Sequence, residues 1–235
     1  MVSHKYKCIF IHLPKTGGES IFSLFDDSDS EIPKHANARQ IRAYLGEKLW
    51  NEYYKFAFVR NPWDQAVSMY FHLRKPLYQK KRILEKYGSA VLNPINACHV
   101  ACEKSFTGYC EEIFKNHQIQ QEASQANWPV SHYAPFHDWI SDEEGNILVD
   151  YVGRFEEISE NMKEVLSVLG KGGELMVNKN KSRHRHYSYY YNQETIELIR
   201  SHYVKDINSF GYSFDRETSE GRGFFKRIRS LLHRS

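Results

Sequence analysis

Cys8-Ile9-Phe10-Ile11-His12-Leu13-Pro14-Lys15-Thr16-Gly17-Gly18-Glu19-Ser20 is where the fold of this 235-residue chain is decided. An apolar run, preceded by Tyr6 and Lys7, stops at Pro14. A lysine, a threonine and two glycines follow, and the apolar pattern then resumes at Ile21, Phe22, Leu24 and Phe25. This order predicts a buried strand, a tight turn and the first turn of a helix, with Ser20 near its start. Such a unit aims several backbone N–H groups at one place, beside the positive end of a helix dipole. With Lys15 and the hydroxyls of Thr16 and Ser20 added, it can cradle a multiply charged anion, most simply a phosphate ester. The alternative is an ordinary strand-to-helix turn whose glycines only relieve backbone strain.

The stretch is not a Walker A loop, in which the lysine follows the glycines; here Lys15 precedes Gly17 and Gly18. A conventional ATPase therefore loses most of its support.

Working outward, Ala38 to Tyr54 has helical spacing at Ile41, Tyr44, Leu45, Leu49 and Tyr53. Lys55 to Arg60 reads as a second short apolar strand. Asn61-Pro62-Trp63-Asp64 is a turn with proline at a helix start, and a helix follows from Trp63 to Arg74. Phe106 to His117, Glu156 to Leu169 and Glu194 to Phe210 also carry helical patterns, and Ile147 to Arg154 reads as another strand. Strands alternating with helices predict an α/β domain with a mostly parallel central sheet flanked by helices. Ligands of such sheets sit beyond the carboxyl ends of the strands, where Lys15 and Arg60 both fall.

Arg60 thereby becomes a second anion candidate. Ser68, eight residues on, lies a little over a turn into the next helix. A planar, permanently charged guanidinium and a nearby hydroxyl can grip a phosphate together. The competing reading of Arg60 is a local salt bridge to Asp64.

Composition bounds the rest. Hydrophobic residues at 41% and charged residues at 26% fit a soluble globular domain, and a formal net charge of +3 is too weak to argue for a nucleic-acid partner. No run reaches the ~18 apolar residues of a membrane span, and the N-terminus shows no signal-peptide core. The expectation is a cytoplasmic protein. Among four cysteines, Cys98 and Cys102 stand four apart with His99 between them and Cys110 beyond. That spacing suits buried thiols of one or two helices better than a metal site. The chain shows neither an internal repeat nor a low-complexity linker, so one domain over residues 1–215 is expected, with a basic amphipathic tail over 216–235. In that tail Phe224, Phe225, Ile228, Leu231 and Leu232 lie among basic residues. It could rest on an anionic membrane surface or pack as a terminal helix.

Two motifs resemble a known family. Ile11 to Ser20 is similar to the 5′-phosphosulfate loop of sulfotransferases, and Phe58-Val59-Arg60-Asn61-Pro62-Trp63-Asp64, continuing to Ser68, is similar to their 3′-phosphate segment. The resemblance is to the carbohydrate branch, with the heparan sulfate 2-O-sulfotransferase relatives and short bacterial members. It continues weakly through Asp150 to Glu156 and Tyr203 to Phe214. It implies a P-loop-like fold and a donor, 3′-phosphoadenosine 5′-phosphosulfate, whose sulfuryl group passes to an acceptor hydroxyl, with no metal needed. Family relatives sulfate sugars, so the implied acceptor is a glycan or glycolipid, met by loops such as Lys75 to Asn96 and Ala123 to His137.

In that scheme Lys15 neutralises charge on the leaving 5′-phosphate, and the turn from Thr16 through Gly17, Gly18 and Glu19 to Ser20 holds its oxygens. Arg60 and Ser68 fix the 3′-phosphate. Glu19 departs from the family, which commonly has threonine there; its carboxylate should point away from the donor or cap the helix. As general base, His35 in Pro33-Lys34-His35-Ala36 resembles the catalytic histidine of the 2-O branch, and histidine has a suitable unperturbed pKa. A surface histidine at a helix start is the other reading. His12 ends the buried strand and reads as structural, while His132 and His137 are acceptor-side candidates. Asn178 to Tyr191 is basic and aromatic, and it suggests a loop over the donor with Arg183 or Lys181 near phosphate and a tyrosine against adenine. Such a mixture also suits an RNA- or glycan-contacting surface or a solvated loop. Two other functions stay open: a binding module that keeps a nucleotide pocket without catalysis, and a nucleotide-dependent phosphotransferase. The second would want a Walker lysine and an acidic magnesium site.

Overall fold

The structure is a computed structural model, and it describes residues 1–27, 31–74, 97–115, 132–171 and 184–215. The expectations for the Ala123–His137 loop before His132, for Lys75 to Asn96, for Lys181 and Arg183, and for the 216–235 tail lie outside these residues. The described part carries a four-stranded sheet in the order β1 (Val2–Ser3), β2 (Cys8–Ile11), β3 (Tyr54–Val59), β4 (Tyr151–Arg154). β1 pairs antiparallel with β2, whereas β2 with β3 and β3 with β4 are parallel. The helices are α1 (Gly18–Phe22), α2 (Ala38–Glu52), α3 (Pro62–Leu73), α4 (Ala97–Glu103), α5 (Phe106–Lys115), α6 (Phe136–Ile140), α7 (Ile158–Val168), α8 (Gln193–His202) and α9 (Val204–Phe210). The chain is therefore α/β with a mostly parallel sheet, as its alternating pattern predicts.

Strand alternation sorts the core into two faces. Ile9, Ile11, Ala57 and Val59 pack with Ile41 and Trp50 of α2 and with Phe136 and Trp139 of α6. Cys8, Phe10, Phe56 and Phe58 face the other way, onto Ile21 of α1 and Ile158, Met162, Val165 and Leu166 of α7. Both faces are covered, which is why β2 and β3 are apolar runs rather than alternating ones. A third cluster joins α3, α4, α5 and α8 around Trp63, Val67, Tyr70, Tyr109 and Tyr203. It buries the inner side of α3 and so fixes the segment that follows Arg60.

Three expected elements differ in extent. The strand read from Ile147 begins only at Tyr151; Ile147 instead forms an antiparallel bridge to Ser141. Asp150 explains the late start, because its carboxylate takes the Lys55 N–H at 2.7 Å and pairs with the Lys55 ammonium at 2.9 Å. The helix from Ala38 is broken at Gly46, whose φ of 74° and ψ of 162° are not helical. The helix read from Glu194 to Phe210 divides at Tyr203, a buried residue with φ −101° and ψ 27°. Cys98 and Cys102 lie on α4, and Cys8 and Cys110 are buried. Among the described residues no group of three or more His, Cys, Asp or Glu side chains could hold a metal. Nor is any described helix long and apolar enough to cross a membrane.

Candidate active site

The turn after β2 is built by three local constraints. Lys15 has φ 66° and Gly17 φ 80°, both left-handed, a conformation uncommon for a lysine and natural for a glycine. Thr16 is fully buried, and its hydroxyl donates to the Leu13 carbonyl at 2.9 Å, closing the turn on itself. Gly17 then accepts from the Ser20 N–H at 2.9 Å as α1 begins. The amides just ahead of that bond belong to the first helical turn, where N–H groups lack intrahelical partners. Thr16 thus braces the cradle from behind, and Ser20, also buried, starts the helix beneath it.

Both glycines are closely approached by side chains. A Cβ on Gly17 would meet Ile158 Cδ1 at 2.8 Å, and one on Gly18 would meet His12 Nε2 at 1.9 Å. The second value means that the His12 ring fills the space a side chain at position 18 would occupy.

Parallel pairing of β2 with β3 brings Arg60 beside this turn. Its Nη1 donates to the Lys15 carbonyl at 2.8 Å, and its Nε and Nη2 hold Asp64 Oδ2 at 2.9 and 2.8 Å. Its guanidinium also lies over the Phe155 ring, 4.2 Å from the centroid. The local salt bridge to Asp64 is therefore real, and Arg60 braces the backbone of Lys15 as well. Among the described residues these bonds use three of the five N–H groups of the guanidinium. Asn61 caps α3 by accepting from the Trp63 and Asp64 N–H groups, and its own N–H donates to Glu156 Oε1 at 2.7 Å. Ser68 lies on α3 and is buried.

Glu19 sits in the first turn of α1, exposed, and forms an ion pair with Lys34. A carboxylate there suits the helix dipole, and the pair draws the Lys34-His35 segment toward α1.

His35 lies against β2 rather than on the surface. Its Nδ1 is 3.1 Å from the His12 carbonyl oxygen, and its ring stacks on the His12 ring with centroids 4.3 Å apart at 23°. His132 meets it edge-on at 5.4 Å and Trp139 at 6.4 Å. A carbonyl only accepts, so this bond requires the proton on His35 Nδ1 and leaves Nε2 with a lone pair. Burial, then His132, lowers the His35 pKa to about 4, and burial likewise lowers His132 to about 4. Both rings are neutral at pH 7.

The structure thus joins Lys15, Thr16, Gly17, Gly18, Ser20 and Arg60 into one region, and gathers His12, His35 and His132 into another that shares Gly18 with it. His137 lies elsewhere, its N–H donating to Asp206. Arg183 falls outside the described residues. Sequence reasoning missed the Gly18–His12 contact and the tie of Glu19 to Lys34. The doubled glycine was the available signal for the first, because the second glycine is not needed for a left-handed φ; no residue spacing signals the second.

The parallel strands β2 and β3 thus bring Lys15 and Arg60 together at their carboxyl ends. A family model described as "Sulfotransferase family" matches residues 1–213, so the chain belongs to that family. The chain is also similar to a protein of Archaeoglobus fulgidus described only as uncharacterized, at 26% identity over 152 residues, covering 64% of this chain and 95% of that protein. No solved structure matches.

Proposed function

We propose that the protein moves the sulfuryl group of 3′-phosphoadenosine 5′-phosphosulfate to the hydroxyl of a carbohydrate or glycoconjugate, on a P-loop-like fold and in the cytoplasm. The observation that carries this reading is the direct bond from Arg60 to the Lys15 carbonyl. It places the two segments that would hold the 5′ and 3′ phosphates of one donor in contact. The residues fit such a donor: a left-handed turn closed by Thr16 at the start of a helix, a lysine within it, and an arginine bonded to its backbone. Lys15, with the amides of the Gly17–Glu19 turn, holds the 5′-phosphate and balances the charge that grows there. Arg60 and Ser68 take the 3′-phosphate, and Arg183 is assigned to the same donor. His35 takes the acceptor proton at Nε2 as the acceptor oxygen bonds to sulfur and the sulfur–oxygen bond to the 5′-phosphate breaks. Its pKa of about 4 describes the free protein; a bound polyanion nearby raises a histidine's proton affinity.

Lys15→Ala tests the assignment. Transfer from the phosphosulfate donor should fall by about 100-fold or more, with the unfolding temperature little changed. Retained turnover would remove Lys15 from its role.

A further inference from the structure

His12 sits between the two halves of the site. One edge of its ring occupies the place of a Gly18 side chain: a Cβ there would lie 1.9 Å from Nε2, 2.0 Å from Cδ2 and 2.7 Å from Cε1. One face stacks on His35, and its backbone carbonyl meets His35 Nδ1. Phe10 and Phe22 hold the ring from other directions, at 5.6 and 5.2 Å between centroids. Only 5% of His12 is exposed, and among the described residues its Nδ1 has no hydrogen-bond partner. An imidazole that makes no hydrogen bond through its buried Nδ1 is a costly way to fill apolar space, and Phe would fill it without that cost. What the ring does supply is a rigid plane in contact with the start of α1 on one edge and with His35 on its face.

We propose that His12 is a positioning residue, a strut through which the anion cradle at Gly17–Glu19 and the general base His35 are held in register. The inference rests on the proposed role of His35. The strut works by packing. A shift of Gly18 must move the His12 ring, since there is no gap between them, and the stacked His35 ring moves with it. His12 is not in contact with substrate in this scheme; it acts through His35 alone. Among the described residues, the groups that face His35 besides His12 include His132, Trp139, Lys34 and Glu19. Of these, His132 and Trp139 pack from the α6 side, while Lys34 and Glu19 form an ion pair at the solvent edge.

The test compares His12→Leu, which keeps apolar bulk without a flat ring, with His12→Phe, which restores the ring. Imidazole nitrogen signals of His35 are read by NMR in the free proteins and with 3′,5′-adenosine bisphosphate. In the wild type and in His12→Phe, His35 should carry its proton on Nδ1, and its signals should shift when the bisphosphate binds. In His12→Leu the tautomer should become mixed and the shift should shrink by about half or more, while bisphosphate affinity stays within about threefold. With donor and acceptor, kcat of His12→Leu should fall about tenfold or more with donor KM little changed, and His12→Phe should recover most of it. A His12→Leu protein whose His35 keeps a pure Nδ1–H tautomer and a full bisphosphate shift would overturn the strut. If the wild type fails to bind the bisphosphate, the donor reading falls. The tautomer comparison in the free proteins then decides the strut by itself, a mixed tautomer in His12→Leu supporting it and an unchanged one overturning it.

Discussion

Gly18 and His12 show how a single missing Cβ can shape a site. The left-handed φ of Gly17 is the familiar reason for a glycine in such a turn, and the sequence makes that reason visible. Gly18 has no such φ; it is glycine because the His12 ring lies against its Cα. Gly18→Ala should therefore destabilise the fold by about 1–3 kcal/mol, the usual cost of overpacking a filled space, read from denaturant midpoints. His12→Ala in the same chain should return part of that loss, because neighbours that share one space are not additive. Equal losses with and without the histidine would show that the clash is not the cause. Among the site residues, Lys15, Gly17 and Arg60 were legible because strand ends and a broken Walker pattern point to them. Glu19 was legible only as a departure. Its partner Lys34 lies fifteen residues on, across a connection whose path no local pattern specifies.

At the scale of elements, β2, β3 and α3 follow their sequence patterns closely, since each is an apolar run or an amphipathic repeat with a clear stop. The late start of β4, the break of α2 at Gly46 and the division of α8 from α9 were hidden. The start of β4 depends on Asp150 reaching Lys55, and the division of α8 from α9 falls at the buried Tyr203. The break of α2 is local: exposed Gly46 takes a left-handed φ of 74°. Asp206, on α9, acts over a long span of chain, as Asp150 does. It is buried, and its two carboxylate oxygens accept the N–H groups of Phe136 and His137 at 2.8 Å each, capping α6 from 69 and 70 residues away. Without it, the first N–H groups of a buried helix lose their partners. Asp206→Ala should cost about 1–3 kcal/mol, with Asp206→Asn retaining part of the stability. An alanine variant as stable as the wild type would mean that α6 finds other acceptors. Since α6 carries Trp139, which faces His35, the alanine change should also disturb His35.

For the whole molecule, the histidine cluster sets a pH response. His12, His35 and His132 all have pKa values lowered chiefly by burial, the latter two to about 4, against 6.5 for an unhindered histidine. Between pH 6.5 and 4 the unfolded chain binds protons at these positions that the folded chain refuses, so stability falls as pH drops through that window. Each such histidine can contribute up to ~1.4 kcal/mol per pH unit. Asp206 opposes them, because burial pushes its carboxyl up to about 7 and the folded state holds that proton longer. Among the described residues, one such group against three leaves acid destabilising. Denaturation midpoints should therefore be lower at pH 5 than at pH 7.5; an equal or higher midpoint at pH 5 would contradict the buried, neutral cluster. The central claim is that one region, joined by the Arg60–Lys15 bond, holds a donor with phosphates at both ends. Its most direct measurement is thermal unfolding with 3′,5′-adenosine bisphosphate, ATP or 5′-AMP at equal concentration. The bisphosphate should raise the unfolding temperature by several degrees, as binding at about 100 times Kd stabilises by ~2.7 kcal/mol, and the other two should do much less. Equal stabilisation by ATP or 5′-AMP, or none by the bisphosphate, would contradict it.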